Sequence, residues 1–167
     1  MSISMYSASI PSFVRLLKNM DAILAKAESH AEAKKLGPTV LTSDRLFPDM
    51  LPLTSQIFIA TDICKGAAAR LTGQEAPVFA DTETTFSELR ARIAKTLTYL
   101  QDFKAEHFDG AETRHIVLKF GPKSFEFNGH DYLVNFVLPN IYFHATTCYN
   151  ILRHNGVVLG KADFLGS

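Results

Sequence analysis

The chain has 167 residues, which at roughly 100–200 residues per domain predicts one domain spanning residues 1–167. Lysine plus arginine number 17 and aspartate plus glutamate number 17, so the formal net charge is zero. Phosphate backbones and anionic lipid surfaces are bound by clustered positive charge, so this balance argues against nucleic acid or a membrane surface as a partner. Hydrophobic residues make up 47% of the chain, which is enough for a packed core.

The sequence carries no pattern typical of membrane insertion or export. Its apolar stretches are shorter than the roughly 20 residues that span a bilayer, and we expect no signal peptide because no basic segment precedes an apolar run at the amino terminus. The two cysteines, Cys64 and Cys148, are too few for a disulfide scaffold. We therefore expect a cytoplasmic protein with reduced thiols.

Apolar residues recur at steps of three and four along three segments of the chain, which predicts three amphipathic helices. The first helix should stop at Leu36-Gly37-Pro38, with Gly37 as a left-handed cap. Thr85 and Glu88 have the spacing of a capping box at the start of the third helix. The apolar stripes are Ile10, Phe13, Leu17, Met20, Leu24 and Ala27; Met50, Leu53, Ile57, Ala60, Cys64, Ala67 and Leu71; and Phe86, Leu89, Ile93, Leu97 and Leu100.

After the third helix the apolar period changes to alternation on both sides of a Gly-Pro turn, which predicts a β hairpin. Such a hairpin is not stable alone, so we expect it to pack on helices. A fourth amphipathic helix follows it, and together these elements predict an all-α four-helix bundle with a short β hairpin before the last helix. The alternating residues are Ile116, Leu118, Phe120, Phe125 and Phe127, and the fourth stripe is Leu133, Phe136, Asn140, Phe143, Thr147 and Ile151.

Polar residues within the fourth stripe are the best candidates for a site, because bundle proteins build ligand and metal sites from inward side chains. Asn140 and His144 are four residues apart and share one face, with Cys148 four residues further on. Pro139 removes a backbone donor, and a kink there would widen the space beside them. Three interpretations of His144 remain open: a metal ligand, a general base, or a core histidine bonded to a neighbouring hydroxyl or carbonyl group.

The other candidates also have structural alternatives. Asn140 is either a ligand-binding amide or an amide that fixes the register of the bundle, as buried asparagines do in coiled coils. Cys148 is either a nucleophile paired with His144 or a small core residue. Asp49 and Gln56, near the start of the second helix, are predicted to face the end of the core, although Asp49 also fits a helix N-cap.

Several runs of residues carry a family resemblance. They are Asp-Tyr-Leu at 131–133, Leu-Pro-Asn-Ile-Tyr-Phe-His at 138–144, the segments 151–157 and 160–166, and Ser-Met-Tyr-x-x-Ser-Ile-Pro at 4–11. With these runs the chain resembles, over its whole length, a bacterial domain-of-unknown-function family. That family is similar to the DinB/YfiT-like superfamily of metalloenzymes, which are four-helix bundles and commonly homodimers. Some members of the superfamily are thiol-dependent transferases or amidohydrolases.

The resemblance also implies a divalent metal held by one histidine of the second helix and two of the fourth. His144 takes the place of one ligand, and Asn140 stands where another histidine is usual. The second helix contains no histidine, and Asp49 and Gln56 are its nearest replacements. A degenerate metal site is therefore expected, and we favour a small-molecule-binding module over an enzyme that uses His144 with or without metal assistance, or a purely structural homodimer.

Overall fold

The computed structural model describes residues 3–166, which are mostly helical with one two-stranded antiparallel sheet. Helix α4 is a continuous helical stretch in three parts, and its middle part is π-helical. The elements in chain order are α1 (Met5–Ala33), α2 (Leu53–Thr72), α3 (Phe86–Gln101), 3₁₀ turns at Ala105–Phe108 and Ala111–Thr113, β1 (His115–Phe120), β2 (Lys123–Asn128), α4 (Gly129–Asp131, Tyr132–Val137 and Leu138–His154) and α5 (Lys161–Leu165).

The four long helices share one hydrophobic core. Helix α2 packs against α3 and α4, while α1 packs against α3, α4 and the short helix α5. The α5 contact includes a hydrogen bond of 2.9 Å from Asn19 Nδ2 to the Phe164 carbonyl oxygen. No helix within residues 3–166 is long and apolar enough to cross a membrane. Fully buried core residues include Phe13, Leu17, Ile57, Leu89, Ile93 and Leu133.

The predicted capping box and hairpin are both confirmed. Thr85 Oγ1 accepts a hydrogen bond from the Glu88 amide at 3.3 Å, and a Glu88 carboxylate oxygen accepts one from the Thr85 amide at 2.9 Å. Strands β1 and β2 pair antiparallel with Phe120 opposite Lys123, so that two residues, Gly121 and Pro122, make the turn. Gly121 has a φ of 57°, a conformation that favours glycine.

Both predicted boundaries of the loop between α1 and α2 are wrong by a few residues. Helix α1 ends at Ala33, and the left-handed residue after it is Lys35, with φ of 54°, rather than Gly37. The Leu36 amide then bonds the Ala31 carbonyl at 2.9 Å, which closes the helix as a Schellman motif. This hydrogen bond therefore ends the helix before the Gly37-Pro38 pair.

Helix α2 begins at Leu53 with Pro52 as its N-cap, so Asp49 is not the cap and Met50 lies outside the helix. No side chain caps this end. Instead, the Leu53 amide donates to the Asp44 carbonyl at 2.9 Å and the Thr54 amide donates to the Thr42 carbonyl at 3.1 Å. Carbonyl groups of the preceding loop thus satisfy amides that a capping side chain would otherwise serve.

The predicted stripe of the fourth helix is confirmed at Leu133, Thr147 and Ile151 and is wrong between them. Phe143 is 57% exposed, and the buried face instead includes Val137, Ile141 and His144. The cause is the π-helical part, in which each hydrogen bond encloses one more residue than in an α-helix and shifts the face that follows. This part directly precedes Pro139, which lacks an amide proton and whose ring would clash with the carbonyl four residues earlier in a regular helix.

Replacing Thr85 by Ala should lower the free energy of unfolding by about 1 kcal/mol, because the Glu88 amide loses its capping acceptor. Urea denaturation followed by circular dichroism measures the change. Thr98→Ala is the matched control, since Thr98 is exposed on the same helix and alanine has the higher helix propensity. Equal losses in the two variants would contradict the capping role of Thr85.

Candidate ligand-binding site

Helices α2 and α4 bring two of the predicted site residues into direct contact. His144 Nδ1 lies 2.8 Å from Gln56 Oε1, and His144 is only 8% exposed. Gln56 is buried as well, and its Nε2 donates to the Leu51 carbonyl at 2.9 Å. The loop before α2 thus fixes the orientation of the Gln56 amide, and that amide fixes the imidazole ring.

This hydrogen-bond chain determines the protonation of the imidazole. Since the Gln56 amide nitrogen donates to Leu51, the amide oxygen faces His144 and accepts a hydrogen bond from Nδ1–H. Burial lowers the pKa of His144, which favours the neutral ring at neutral pH. The Nε2 atom then carries a lone pair, and it has no hydrogen-bond partner within residues 3–166.

Asn140 lines a cavity of about 290 Å³ between α2, strand β1 and the π-helical part of α4. The walls of the cavity are mainly apolar and aromatic. Among residues 3–166, the side-chain amide of Asn140 has no hydrogen-bond partner, so it offers both a donor and an acceptor to the cavity. The other lining residues are Ile59, Asp62, Ile63, Arg70, Leu118, Phe120, Tyr132 and Phe136.

The guanidinium group of Arg70 is held in place by two features of the fold. Its Nη1 donates to the Tyr132 hydroxyl at 3.1 Å. It also lies over Gly66, one helical turn earlier, where an added Cβ would come within 2.5 Å of Nη1. Glycine inside a helix is unfavourable by roughly 1 kcal/mol relative to alanine, so alanine at position 66 would favour the helix but would make the Arg70 guanidinium group shift.

Tyr132 links the arginine to the aromatic wall of the cavity. It is 1% exposed, and its ring stacks on Phe136 with the centroids 5.9 Å apart. Burial raises the pKa of Tyr132, and the nearby Arg70 partly opposes this rise. The phenol therefore keeps its proton at neutral pH, and its oxygen accepts from Arg70 while its own proton remains able to donate.

The carboxylate of Asp62 is the acidic group of the cavity, and it is already engaged by cations. Its Oδ1 lies 2.9 Å from Arg92 Nη2 and 2.8 Å from Lys65 Nζ. The Arg92 side chain is fully buried and also bonds Thr61 of α2 and Glu83 of the loop before α3. This network ties α2 to α3 and offsets the negative charge of Asp62.

The structure separates the remaining candidates from this site. Asp49 is exposed in the loop before α2 and has no hydrogen bond or ion pair to the other candidates within residues 3–166. Cys148 is fully buried, and burial raises the pKa of its thiol to about 12, which argues against a thiolate nucleophile. Cys64 is fully buried in the core, as predicted.

Sequence reasoning missed three polar residues of the cavity: Asp62, Arg70 and Tyr132. For Asp62 the sequence leaves two positions open, one facing a neighbouring helix and one facing solvent. For Arg70 the sequence does hold an indication, since Gly66 interrupts an otherwise helix-favouring segment four residues earlier. Tyr132 could not be assigned to the cavity, because the π-helical part alters the faces of α4.

Comparisons with known proteins identify the family and support the fold. Residues 5–165 match the family model described as a domain of unknown function (DUF1993). The chain belongs to this family. It is also similar to the crystal structure of a DinB family member protein from Shewanella denitrificans, with a TM-score of 0.90 and 44% identity over 98% of this chain and 92% of that one. No match was found among curated proteins. The predicted family resemblance is thereby confirmed.

The residues present do not fit the metal site that the DinB/YfiT resemblance implies. His144 offers a single lone pair, on Nε2, and the residues nearest to the other two expected ligand positions, Gln56 and Asn140, carry neutral amides. Amide oxygens are weak ligands for transition metals beside imidazole or thiolate. In the part of the chain that the structure describes, no three His, Cys, Asp or Glu side chains are grouped to hold a metal ion.

The pKa of His144 should respond to the charge of its partner. In the native protein it should lie below 6.5, and Gln56→Glu should raise it because a carboxylate favours the protonated ring. NMR titration of the imidazole ring protons measures both values. Gln74→Glu adds the same charge at an exposed position away from the site and should leave the His144 pKa unchanged.

The lowered pKa of His144 also predicts how the free energy of unfolding depends on pH. Because the pKa of His144 is lower in the folded protein than in the unfolded chain, the unfolded chain takes up the proton more readily. The contribution of His144 to the free energy of unfolding is therefore fully present above about pH 6.5 and is lost as the pH falls toward the pKa of the folded state. His144→Gln should reduce this loss of stability. A native His144 pKa at or above 6.5 would contradict the buried, neutral ring.

Proposed function

We propose that the chain is a small-molecule-binding module of the DinB type, whose ligand occupies the cavity between α2, β1 and α4. The observation that carries the proposal is the composition of that cavity: apolar and aromatic walls with a few converging polar groups, which is typical of ligand sites. Its volume of about 290 Å³ suits a ligand smaller than most drugs. The unpartnered amide of Asn140 supports the same conclusion.

We further propose that the four long helices form a bundle of the DinB/YfiT type in which His144 is kept and the other two metal-binding histidines have been replaced. Asn140 then serves an organic ligand rather than a metal ion, while Gln56 orients the imidazole ring of His144. A homodimer, which the family resemblance also implies, belongs to this proposal. Light scattering coupled to size-exclusion chromatography tests it, and a monomer at micromolar concentration would contradict it.

One observation favours a second candidate function, a metal-free transferase or hydrolase. The neutral His144 ring is oriented through Nδ1 by Gln56 and has a free lone pair on Nε2, which is how a general base is prepared. His144 is not among the residues that line the cavity, so we rank this function second. Turnover of an amide, ester or thiol that is lost in His144→Ala would favour it.

Filling the cavity should abolish ligand binding. Ile63→Trp places an indole ring in the cavity, so fragments that bind the native protein in a ligand-detected NMR screen should lose their binding. Val158→Trp is the matched control, because Val158 is 84% exposed and lies outside this cavity. Fragments that bind equally well to native protein and Ile63→Trp would place the site elsewhere, and no binding to native protein would contradict the proposed function.

A further inference from the structure

We propose that the cavity selects small organic anions, namely carboxylates with a short apolar or aromatic body, and that Arg70 recognises the anionic group. This inference rests on the proposed function and names the ligand class for the same cavity.

Arg70 is the cation of the cavity that has no acidic partner. Within residues 3–166, no carboxylate lies within 4 Å of its guanidinium group, and its one side-chain hydrogen bond is to the neutral Tyr132 hydroxyl. Guanidinium has five donor hydrogens in a planar fork, so most of them remain free for a ligand. This geometry matches a carboxylate, which accepts two parallel hydrogen bonds from arginine.

Asp62, the acidic residue of the cavity, already has cationic partners. Asp62 Oδ1 is shared between Arg92 at 2.9 Å and Lys65 at 2.8 Å, so its charge is offset within the protein. A cationic ligand would have to compete with these two side chains and approach Arg70. An anion would instead find an unpaired guanidinium group, the Tyr132 hydroxyl and the Asn140 amide, all of which can donate hydrogen bonds.

The arrangement of the walls indicates the shape of the ligand. Arg70 is exposed, which places the cation at the open side of the cavity, whereas Leu118 is only 4% exposed. Phe136 contributes an aromatic wall that stacks on Tyr132. A ligand with its charged group at Arg70 and its apolar body against Leu118 and Phe136 satisfies both regions, because apolar burial and a charge-assisted hydrogen bond then act together.

Gly66 supports a role for Arg70 in recognition rather than in stability alone. The three heavy atoms nearest to an added Cβ at Gly66 all belong to the Arg70 guanidinium group, at 2.5, 3.5 and 3.8 Å. The residue is buried in the middle of α2, where alanine would favour the helix. The space over Gly66 therefore serves to hold the guanidinium group beside Tyr132, at the wall of the cavity.

Three probes of nearly equal shape test the inference by isothermal titration calorimetry: 3-phenylpropionate, its amide 3-phenylpropanamide and 3-phenylpropylamine. The carboxylate should bind the native protein about tenfold more tightly than the amide, since a hydrogen bond to a charged group is stronger than one between neutral groups. The amine should bind most weakly. Raising the salt concentration should weaken only the carboxylate.

Arg70→Gln tests the residue itself, because glutamine retains a donor for the Tyr132 hydroxyl while removing the charge. Its affinity for 3-phenylpropionate should fall to that of the amide, and its affinity for the amide should stay within about threefold of the native value. Arg153→Met is the matched control, since Arg153 is exposed and has no ion pair within residues 3–166. Thermal melting verifies that each variant is folded.

The outcomes distinguish the anion inference from the proposed function. The inference is overturned if the amide or the amine binds as tightly as the carboxylate or more tightly. It is also overturned if Arg70→Gln leaves the affinity for the carboxylate unchanged. Either result would still be consistent with a small-molecule-binding module. The inference alone also fails if none of the three probes binds while fragments sensitive to Ile63→Trp do. If neither the probes nor any fragment binds, both the inference and the proposed function fail.

Discussion

The burial of α2 between α3 and α4 is the constraint on which the rest of the structure depends. Twelve of its twenty residues are buried, including the run Gly66-Ala67-Ala68-Ala69, whose small side chains allow neighbouring elements to approach closely. A helix buried on several sides must also satisfy its polar residues internally. Thr61, Asp62 and Lys65 do so in the Arg92 network toward α3, whereas Gln56 and Arg70 bond residues of α4.

The second constraint is Pro139, which connects the geometry of α4 to the composition of the cavity. The π-helical part before it moves Phe143 out of the core and places Tyr132 and Phe136 one above the other beside the hairpin. Such π-helical segments are frequent at functional sites, because they alter the direction of side chains without ending the helix. Both the aromatic wall and the partner of Arg70 arise from this segment.

Much of the fold and part of the site could be predicted from the sequence. Local patterns determine the stripes of the first three helices, the Thr85 capping box and the hairpin, and these predictions are confirmed apart from Met50, which lies outside α2. The approach of Gln56 to His144 was also anticipated, since both were assigned to the interior of facing helices. Asp49 is predicted at the site because it lies seven residues before Gln56 and one step off the same apolar stripe, but α2 begins only at Leu53, and Asp49 lies exposed in the loop before it.

What could not be predicted depends on tertiary geometry. No periodic pattern in the sequence predicts the π-helical part of α4 or the position of the Arg70 side chain over Gly66. Each depends on contacts between elements that are distant in sequence. The family resemblance draws attention to the histidine position, whereas the structure shows an apolar cavity lined by Arg70, a cation without an acidic partner within residues 3–166. The function of the chain is therefore better inferred from Arg70 and Asn140, whose polar groups are free to bind a ligand, than from the residues at the expected metal-ligand positions.

The measurement that tests this account most directly is the pair of stability and affinity changes in Gly66→Ala. If Gly66 exists to hold the Arg70 guanidinium group in the cavity, alanine should leave the free energy of unfolding unchanged or raise it by up to about 1 kcal/mol. The affinity for 3-phenylpropionate should fall at the same time, because the added Cβ displaces the guanidinium group. Unchanged affinity in a folded Gly66→Ala protein would contradict the central claim.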